Sequence, residues 1–339
     1  MTSSPRAVVF GCAGPELVDT ERRFFAETDP LGFILFQRNC AEPAQVRRLV
    51  QALRESVGRA DAPVLIDQEG GRVMRLKPPY WRAAPAQGRF GELADRDCPG
   101  ALEAAYLNAR LLAAELAELA ISVDCAPVLD LRLPGAHEVI GDRALGSKPE
   151  TVAELGRAVA QGLLDGGVLP VIKHIPGHGR ATVDSHHELP VVDAGREVLE
   201  RTDFEPFRRL AAEPWAMTAH VVYRAIDAER PASLSSRVIA DVIRGSIGFD
   251  GFLISDDVSM KALKGDVGDL ARAVVEAGCD AVLHCNGKPV EMERVARSAP
   301  LLGDRARERL ERGAAALPRQ RPDLNLTSAR GRIETLLAA

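Results

Sequence analysis

The segment KHIPGHGRATVDSHHELP (173–190) carries four of the seven histidines of the chain. Crowded histidines are typical of metal sites, and the spacing of His174 and His178 would place two ligands on one face of a helix. Pro176 and Gly177 between them disfavour a helix, so this spacing loses its geometric meaning. We therefore expect no metal and no cofactor. A metal-dependent hydrolase that uses the histidines and Asp256 as ligands is the first alternative.

Asp184 and His186 in the same segment form a different pattern. A carboxylate two residues before an imidazole can orient the ring, raise its basicity and leave its other nitrogen free for proton transfer. A second carboxylate, Asp256, directly follows an apolar run, and such a strand-end acid opposed by a proton donor suits glycosyl transfer. The alternative for Asp184 and His186 is an Asx-type turn with a surface histidine. Asp257 directly follows Asp256, and we expect Asp257 to cap the next helix.

The elements that must position these residues are short apolar runs that alternate with amphipathic patterns. Continuously apolar strands are typical of a parallel sheet that is covered on both faces. The predicted strands are 7–11, 32–37, 62–67, 121–127, 169–175, 215–220, 250–255 and 279–285, and the predicted helices include 42–58, 103–120, 147–167 and 269–279. Residues 147–150 have the spacing of a capping box with a proline in the first turn, and Gly166-Gly167 ends the same helix.

Eight strand and helix units predict an α/β fold, a single-domain (β/α)8 barrel with a short helical tail. A doubly wound open sheet is the alternative, but GCAGPE after the first strand lacks the GxGxxG phosphate turn. In a barrel, catalytic groups lie at the carboxyl ends of the strands. Polar residues occupy these ends in five of the predicted strands: Asp67, Gln68, Glu69, Lys173, His174, His220, Asp256, Asp257 and His284. We expect them to face one common cavity.

Two connecting segments are long and show little helical pattern. Residues 175–195 are expected to form a functional lid over the barrel, with the glycines of its Pro-Gly-His-Gly turn as a hinge. Residues 77–99 are the second long connection, in which Tyr80 and Trp81 either contact the rim of the site or pack over the barrel.

Composition narrows the class of protein further. The chain has 339 residues, 46% of them hydrophobic and 27% charged, with a net charge of -5. This balance gives no basic surface for nucleic acid, and no apolar run reaches the roughly 18 residues of a membrane span. The apolar run that begins at Ala7 is about four residues long, short of a signal core of roughly 7 to 15. The six cysteines are scattered, so we expect a reducing, cytoplasmic location.

Five motifs in this order resemble family 3 glycoside hydrolases, most closely the single-domain bacterial β-N-acetylglucosaminidases (β-N-acetylhexosaminidases) of cell-wall recycling. The motifs are IDQEGGRVMRL (66–76), GDRALG (141–146), KHIPGHGRATVDSHHELP (173–190), MTAHVVY (217–223) and LISDDVSMKAL (253–263). The resemblance extends from about residue 7 to 290 and implies a barrel enzyme that removes terminal β-linked N-acetylglucosamine.

Motif by motif, the resemblance implies that Asp256 is a nucleophile that forms a covalent glycosyl-enzyme. His186 is the implied proton donor and acceptor, and Asp184 the residue that orients it. The resemblance also implies that Asp67 accepts hydrogen bonds from sugar hydroxyls, with donors at Arg75, Arg143, Lys173 and His174. His178, His187 and His220 receive no role.

The resemblance further implies peptidoglycan turnover fragments as substrates, namely N-acetylglucosaminyl-anhydromuramoyl units with or without peptide. We expect residues 1–300 to form the catalytic barrel and 301–339 a helical tail packed on it. We expect a monomer that acts on small amino-sugar fragments, without a nucleic-acid or membrane partner. The residue types leave open whether water or phosphate resolves the glycosyl-enzyme, and a non-catalytic amino-sugar-binding barrel is the second alternative.

Overall fold

The computed structural model describes residues 4–185 and 188–338. Among these residues, eight parallel strands close into a barrel in the order β1-β8-β7-β6-β5-β4-β3-β2. They are β1 Arg6–Gly11, β2 Pro30–Leu35, β3 Val64–Ile66, β4 Val123–Asp124, β5 Leu169–Ile175, β6 Trp215–Thr218, β7 Phe252–Asp257 and β8 Ala281–His284. The predicted (β/α)8 barrel and its eight strands are confirmed.

Alternation of side chains along the strands builds two buried layers from continuously apolar sequence. One layer fills the barrel, with Ala7, Val9, Leu65, Val171, Trp215, Met217, Phe252, Ile254 and Leu283 among its members. The other layer lies between the strands and the helices and includes Val8, Phe10, Phe33, Leu35, Val64, Ile66, Ile172, Leu253 and Val282. Both faces of each strand are therefore buried, which is why the sequence lacks a polar face.

Helices surround this barrel. They are α1 Asp19–Thr28, α2 Pro43–Ser56, α3 Gly88–Ala94, α4 Cys98–Glu118, α5 Pro149–Asp165, α6 Arg196–Arg201, α7 Glu205–Arg209, a π-helical segment Val238–Ser246, α8 Val267–Ala277, α9 Pro289–Ser298, α10 Asp304–Ala315 and α11 Leu326–Ala338. Each of the four predicted helices has a counterpart here, and α4 begins five residues before the predicted start at 103. The second long connection, 77–99, is partly helical because it contains α3.

The ends of two helices differ from the predictions. α5 begins with Pro149 in its first turn, but its N-cap is Lys148, whose side chain makes no capping hydrogen bond, so the predicted capping box is wrong. α8 is capped by Asp266, whose carboxylate accepts from the backbone N–H groups of Gly268 and Asp269. Asp257, the predicted cap, lies ten residues before this helix and belongs to β7.

The aromatic pair Tyr80 and Trp81 lines a groove with α11, away from the residues that line the barrel mouth. Trp81 packs partly buried against the core and Tyr80 is 57% exposed, and neither is among the described residues that line the cavity, so the predicted rim contact is wrong. Among the described residues, no helix is both long enough and apolar enough to cross a membrane.

The helices after residue 300 occupy two positions. Ala306 and Leu310 of α10 join the apolar layer inside the barrel, next to Trp215, so α10 covers the starts of the strands. α11 packs on α4 through Ile333 and Leu111. The division of the chain at residue 300 stays a prediction.

Candidate active site

A cavity of about 530 Å³ lies at the carboxyl ends of the barrel strands. It is lined by the seven predicted site residues that the structure describes: Asp67, Arg75, Arg143, Lys173, His174, Asp184 and Asp256. His186, the predicted proton donor, and His187 lie outside the described residues. The cavity therefore brings together groups from four strand ends and from the lid segment.

The floor of the cavity is an ionic network centred on Lys173. Its Nζ atom lies 2.8 Å from Asp67 Oδ1 and 2.7 Å from Glu69 Oε1, and its side chain is 2% exposed. Arg143 donates to both Glu69 oxygens at 2.9 and 2.8 Å. Arg75 donates to Asp67 Oδ2 at 2.9 Å. Charge-assisted bonds of this kind hold the side chains in fixed positions on the floor of the cavity.

Mutual pairing sets the ionisation of these groups. Burial alone would raise the pKa of Asp67, but Lys173 and Arg75 hold it well below its ordinary value. Burial would likewise raise the pKa of Glu69, which Arg143 and Lys173 lower to about 2. Burial would lower the pKa of Lys173, and the two carboxylates raise it instead. The network is therefore fully charged at neutral pH.

A short hairpin after β3 positions Arg75. Its strands, Gln68–Gly70 and Val73–Met74, are held by the buried Gln68 side chain, which accepts from Arg75 N at 2.9 Å and donates to Leu76 O at 3.0 Å. Gln68 was expected to face the cavity, but its amide is satisfied by this backbone. The Arg75 guanidinium lies 5.0 Å from the centre of the Phe36 ring, a cation–π contact.

Asp130, in the loop after β4, anchors the start of the lid. Its Oδ2 lies 2.6 Å from His174 Nδ1, and its Oδ1 accepts from His178 N at 2.6 Å. Burial would raise the pKa of Asp130, but His174 and the His178 N–H lower it to about 2. A carboxylate at Asp130 therefore orients the His174 ring towards the cavity and fixes the turn that follows it.

His178 joins this turn to the segment that carries the proposed dyad. Its Nε2 lies 3.2 Å from the hydroxyl of Ser185, which is 3% exposed, and Ser185 stands between Asp184 and His186 in the chain. Burial lowers the pKa of His178 to about 4, so this ring is neutral at pH 7. His178 is thus buried structure of the lid that also lines the cavity.

Asp256 lines the cavity from the end of β7. Its Oδ1 accepts from the N–H of Asp257 at 2.8 Å. The Asp257 carboxylate accepts from Ser259 N at 2.9 Å, from the Ser259 hydroxyl at 2.7 Å and from Cys285 N at 3.1 Å. Asp257 is therefore bound to the next turn and to β8.

Two strand-end histidines, His220 and His284, were expected to face the cavity but do not. Leu283 and Cys285 line the cavity, so alternation turns His284, between them, to the other side, and His220, two residues beyond β6, is not among the lining residues. The His284 ring packs edge-on against Phe10 at 5.8 Å, and His220 bonds to Ser233 and to the backbone of Asp257. The expectation of one common cavity is wrong for these two side chains.

Asp130 and Ser185, which form hydrogen bonds at the lid, were missing from the sequence prediction, and Glu69 was expected at the cavity without an assigned role. Glu69 had a usable signal, because an acidic residue at a buried strand end requires a cationic partner. Asp130 had a weaker one, as a single acid in the apolar stretch PVLDL. Ser185 had none beyond its position between two predicted catalytic residues. Within 4–185 and 188–338, no group of three or more His, Cys, Asp and Glu side chains could hold a metal.

Comparison with known proteins agrees with this geometry. Residues 16–312 match the glycosyl hydrolase family 3 N-terminal domain. A β-hexosaminidase of Alkalilimnicola ehrlichii is 41% identical over 86% of this chain and 84% of its own length. NagZ of Neisseria gonorrhoeae, solved with N-trifluoroacetyl-D-glucosamine, superposes with a TM-score of 0.88 at 31% identity and 99% coverage of both chains. The same protein solved with a zinc ion gives a TM-score of 0.87 at 30% identity, with 99% of both chains covered. The chain therefore belongs to glycosyl hydrolase family 3 and is a glycoside hydrolase of the β-N-acetylglucosaminidase type.

Proposed function

We propose that the chain is a retaining exo-β-N-acetylglucosaminidase that acts through a covalent glycosyl-enzyme on Asp256. One observation carries the proposal. A carboxylate, Asp256, and a lid carboxylate, Asp184, line the same cavity as the charged Asp67 and Lys173 pair. The cavity is within the size range of small-ligand sites.

In the first step, the Asp256 carboxylate attacks the anomeric carbon of the sugar. The bond between this carbon and the glycosidic oxygen breaks, and His186 gives its proton to the leaving oxygen. Asp184 orients the His186 ring and stabilises its protonated form. An imidazole suits this site because it loses its charge when it donates, which limits repulsion with the nearby carboxylates.

In the second step, His186 takes a proton from water, whose oxygen attacks the anomeric carbon and releases Asp256. Both displacements invert the anomeric carbon, so the product retains the β configuration. Asp67 accepts hydrogen bonds from sugar hydroxyls, and Arg75, Arg143, Lys173 and His174 are the donors. The N-trifluoroacetyl-D-glucosamine bound to the Neisseria relative supports an N-acylated amino sugar as the bound unit.

We further propose that the substrates are peptidoglycan turnover fragments, N-acetylglucosaminyl-anhydromuramoyl units with or without peptide, and that hydrolysis takes place in the cytoplasm by a monomer. Incubation of such fragments with the protein should release free N-acetylglucosamine and the anhydromuramoyl product, measured by mass spectrometry. If nitrophenyl N-acetylglucosaminide is hydrolysed but none of these fragments is, the proposed substrate is wrong and the proposed glycosidase activity still stands.

The nucleophile is tested with Asp256→Ala. We expect kcat on nitrophenyl N-acetylglucosaminide to fall at least about 10⁴-fold, because the step it performs has no substitute. A fluorinated N-acetylglucosaminyl fluoride should label the wild-type protein on the peptide that contains Asp256. Most of the activity remaining in Asp256→Ala, or a label on another residue, would show that the nucleophile is misassigned.

The dyad is tested by varying the leaving group. His186→Ala should lose far more activity on a sugar aglycone, which needs a proton, than on nitrophenolate, which does not. Asp184→Ala should follow the same pattern with a smaller loss. Asp193→Ala, in the same loop and paired with Arg224 on the surface, is the matched control and should retain wild-type rates. Equal losses on both substrates would contradict an acid role.

The two alternatives have simple tests. The zinc complex of the Neisseria relative makes a chelator control worthwhile for the metal-dependent hydrolase. Activity that a chelator abolishes and zinc restores would favour that reading. Binding of N-acetylglucosamine without turnover of any activated glycoside would favour a sugar-binding barrel.

A further inference from the structure

The strand end that carries Asp256 leaves the regular sheet before the cavity. The register of β7 with β6 runs from Phe252 to Ile254. The register of β7 with β8 shifts between Ile254 and Asp257, which marks a bulge. Asp256 therefore lies within the irregular stretch of the ladder, directly before Asp257, where the pairing with β8 resumes.

His220, two residues beyond β6, reaches this irregular strand end. Its side chain is fully buried, with Nε2 3.0 Å from the backbone oxygen of Asp257 and Nδ1 2.7 Å from the hydroxyl of Ser233. A carbonyl oxygen can only accept, so Nε2 carries the proton and donates it to this bond. Nδ1 then accepts from Ser233, which fixes the ring and its tautomer.

The other sides of Asp257 are also held. Its N–H donates to Asp256 Oδ1, and its carboxylate is bound to Ser259 and Cys285. Ser233 is held in the turn Ala232–Leu234, which begins with a bond from Ala232 N to Val221 O at 2.9 Å. The contacts of His220 thus connect the end of β6 and this turn to the residue that follows Asp256.

We infer that His220 is a positioning residue that fixes the Asp256 carboxylate for attack, by donating from Nε2 to the carbonyl of the adjacent residue. This inference rests on the proposed role of Asp256 as nucleophile. The groups proposed to bind the sugar, such as Lys173 and Asp67, lie on β5 and after β3. We therefore expect His220 to affect the rate of attack by Asp256 and not the Kd for the sugar. A misplacement of about 1 Å at a reacting group can cost on the order of 100-fold in rate.

Two substitutions separate the bonds of His220. The amide nitrogen of Gln reaches the position of Nε2, so His220→Gln keeps a donor for Asp257 O. The amide of Asn reaches only the position of Nδ1, so His220→Asn keeps the contact with Ser233 and loses that donor. If His220 positions the nucleophile, the Asn variant is the slower of the two.

The measurement is the rate at which a fluorinated N-acetylglucosaminyl fluoride labels Asp256. For His220→Asn we expect a fall on the order of 10- to 100-fold, and for His220→Gln a fall of only a few-fold. The Kd for N-acetylglucosamine should stay within about two-fold of wild type in both. Ser233→Ala removes the hydrogen bond that fixes the His220 ring and should slow labelling several-fold. This variant tests the inference if His220→Asn does not fold.

His284, buried at the end of the neighbouring strand β8, is the matched control. Its Nε2 lies 3.6 Å from Glu291 Oε2, beyond hydrogen-bond distance, and within the described part of the chain neither ring nitrogen is bonded to the strand end that carries Asp256 and Asp257. His284→Gln and His284→Asn should therefore label at similar rates. Labelling of Asp256 at equal rates in the two His220 variants, or at the wild-type rate in Ser233→Ala, would overturn the inference alone. A wild-type label on another residue would overturn the proposed function and the inference together.

Discussion

At the level of single residues, the site contains charged side chains that pair with one another and the buried, neutral imidazole of His178. Lys173 lies between Asp67 and Glu69, and each carboxylate has an arginine as its second partner. Buried ions of this kind are tolerated only when all are paired. The sequence predicted that these residues meet at the cavity, whereas the pairing scheme, including the role of Glu69, required the tertiary structure.

His178 makes the stability of the protein depend on pH. Its pKa is about 4 in the folded chain, below the value of about 6.5 for an unfolded histidine. Between these values the unfolded chain binds the extra proton, so the free energy of unfolding falls as the pH is lowered. From about pH 7 to about pH 4.5, we expect wild type to lose roughly 2 kcal/mol more than His178→Gln in urea unfolding.

The matched control for this prediction is His137→Gln. His137 is an exposed histidine that also lines the cavity, so a change in pH dependence that is specific to the buried ring should be larger in His178→Gln than in His137→Gln. Parallel curves of unfolding free energy against pH for wild type and His178→Gln would contradict the assignment of this dependence to His178.

At the scale of elements, the start of the lid is fixed by close packing. Gly177 has a φ of +134°, a conformation that favours glycine, and its carbonyl accepts from the hydroxyl of Tyr223 at 2.5 Å. A Cβ atom on Gly179 would lie 2.3 Å from the backbone oxygen of Leu131. The hinge inferred from these glycines stays a prediction, and the contacts show that close packing and a positive φ also favour glycine here.

Gly179→Ala should therefore displace the lid from the loop after β4. The collision is with backbone atoms of Leu131, which cannot move as a flexible side chain would. We expect kcat/KM on nitrophenyl N-acetylglucosaminide to fall on the order of 100-fold, because Asp184 and His186 follow this turn.

Gly195→Ala, at the far end of the same loop, is the control. Its φ is -64° and a Cβ atom there would meet nothing within 4 Å, so activity should stay within about two-fold of wild type. Similar activities of the two alanine variants would show that the packing of Gly179 does not position the lid.

At the scale of the whole molecule, the two ends of the barrel have separate tasks. The carboxyl ends of the strands carry the site, and α10 covers the opposite end. Arg309 of α10, whose side chain is 7% exposed, pairs with Asp280 at 2.8 Å and with Asp250 at 2.7 Å. These bonds connect α10 to the segments that precede β8 and β7.

Arg309→Ala should lower stability without changing catalysis. Without Arg309, Asp280 keeps Arg244 and Asp250 keeps Arg312 as partners, so the loss is that of charge-assisted hydrogen bonds, and we expect a fall of about 2 kcal/mol in the free energy of urea unfolding. Arg305→Ala removes an arginine of the same helix that is 77% exposed and 3.7 Å from Asp250, and should change stability by less than about 0.5 kcal/mol. KM and kcat should match wild type in both. Equal unfolding free energies would contradict a stabilising role of Arg309.

Apolar periodicity and turn residues determined the barrel, its strand order along the chain and the ends at which chemistry takes place. These features follow from local patterns, because a strand buried on both faces must be apolar throughout. The lengths of the strands were predicted less accurately than their positions. β4 was predicted as 121–127 but is only Val123–Asp124, and Pro127, which lacks an N–H, lies at the end of the predicted strand.

The sequence was sufficient to predict which residue types meet at the mouth of the barrel, through four motifs at strand ends and GDRALG in the connection after β4. Only the tertiary structure decided which of them face the cavity, because successive side chains point to opposite sides and the registers shift near the strand ends. It turned His220 away from the cavity and towards Asp257, and it brought Glu69 and Asp130, distant in sequence from their partners, into the site. Contacts between residues 44 to 106 positions apart, such as those from Asp130 to His174 and from Lys173 to Asp67, are set by how the strands close into a barrel.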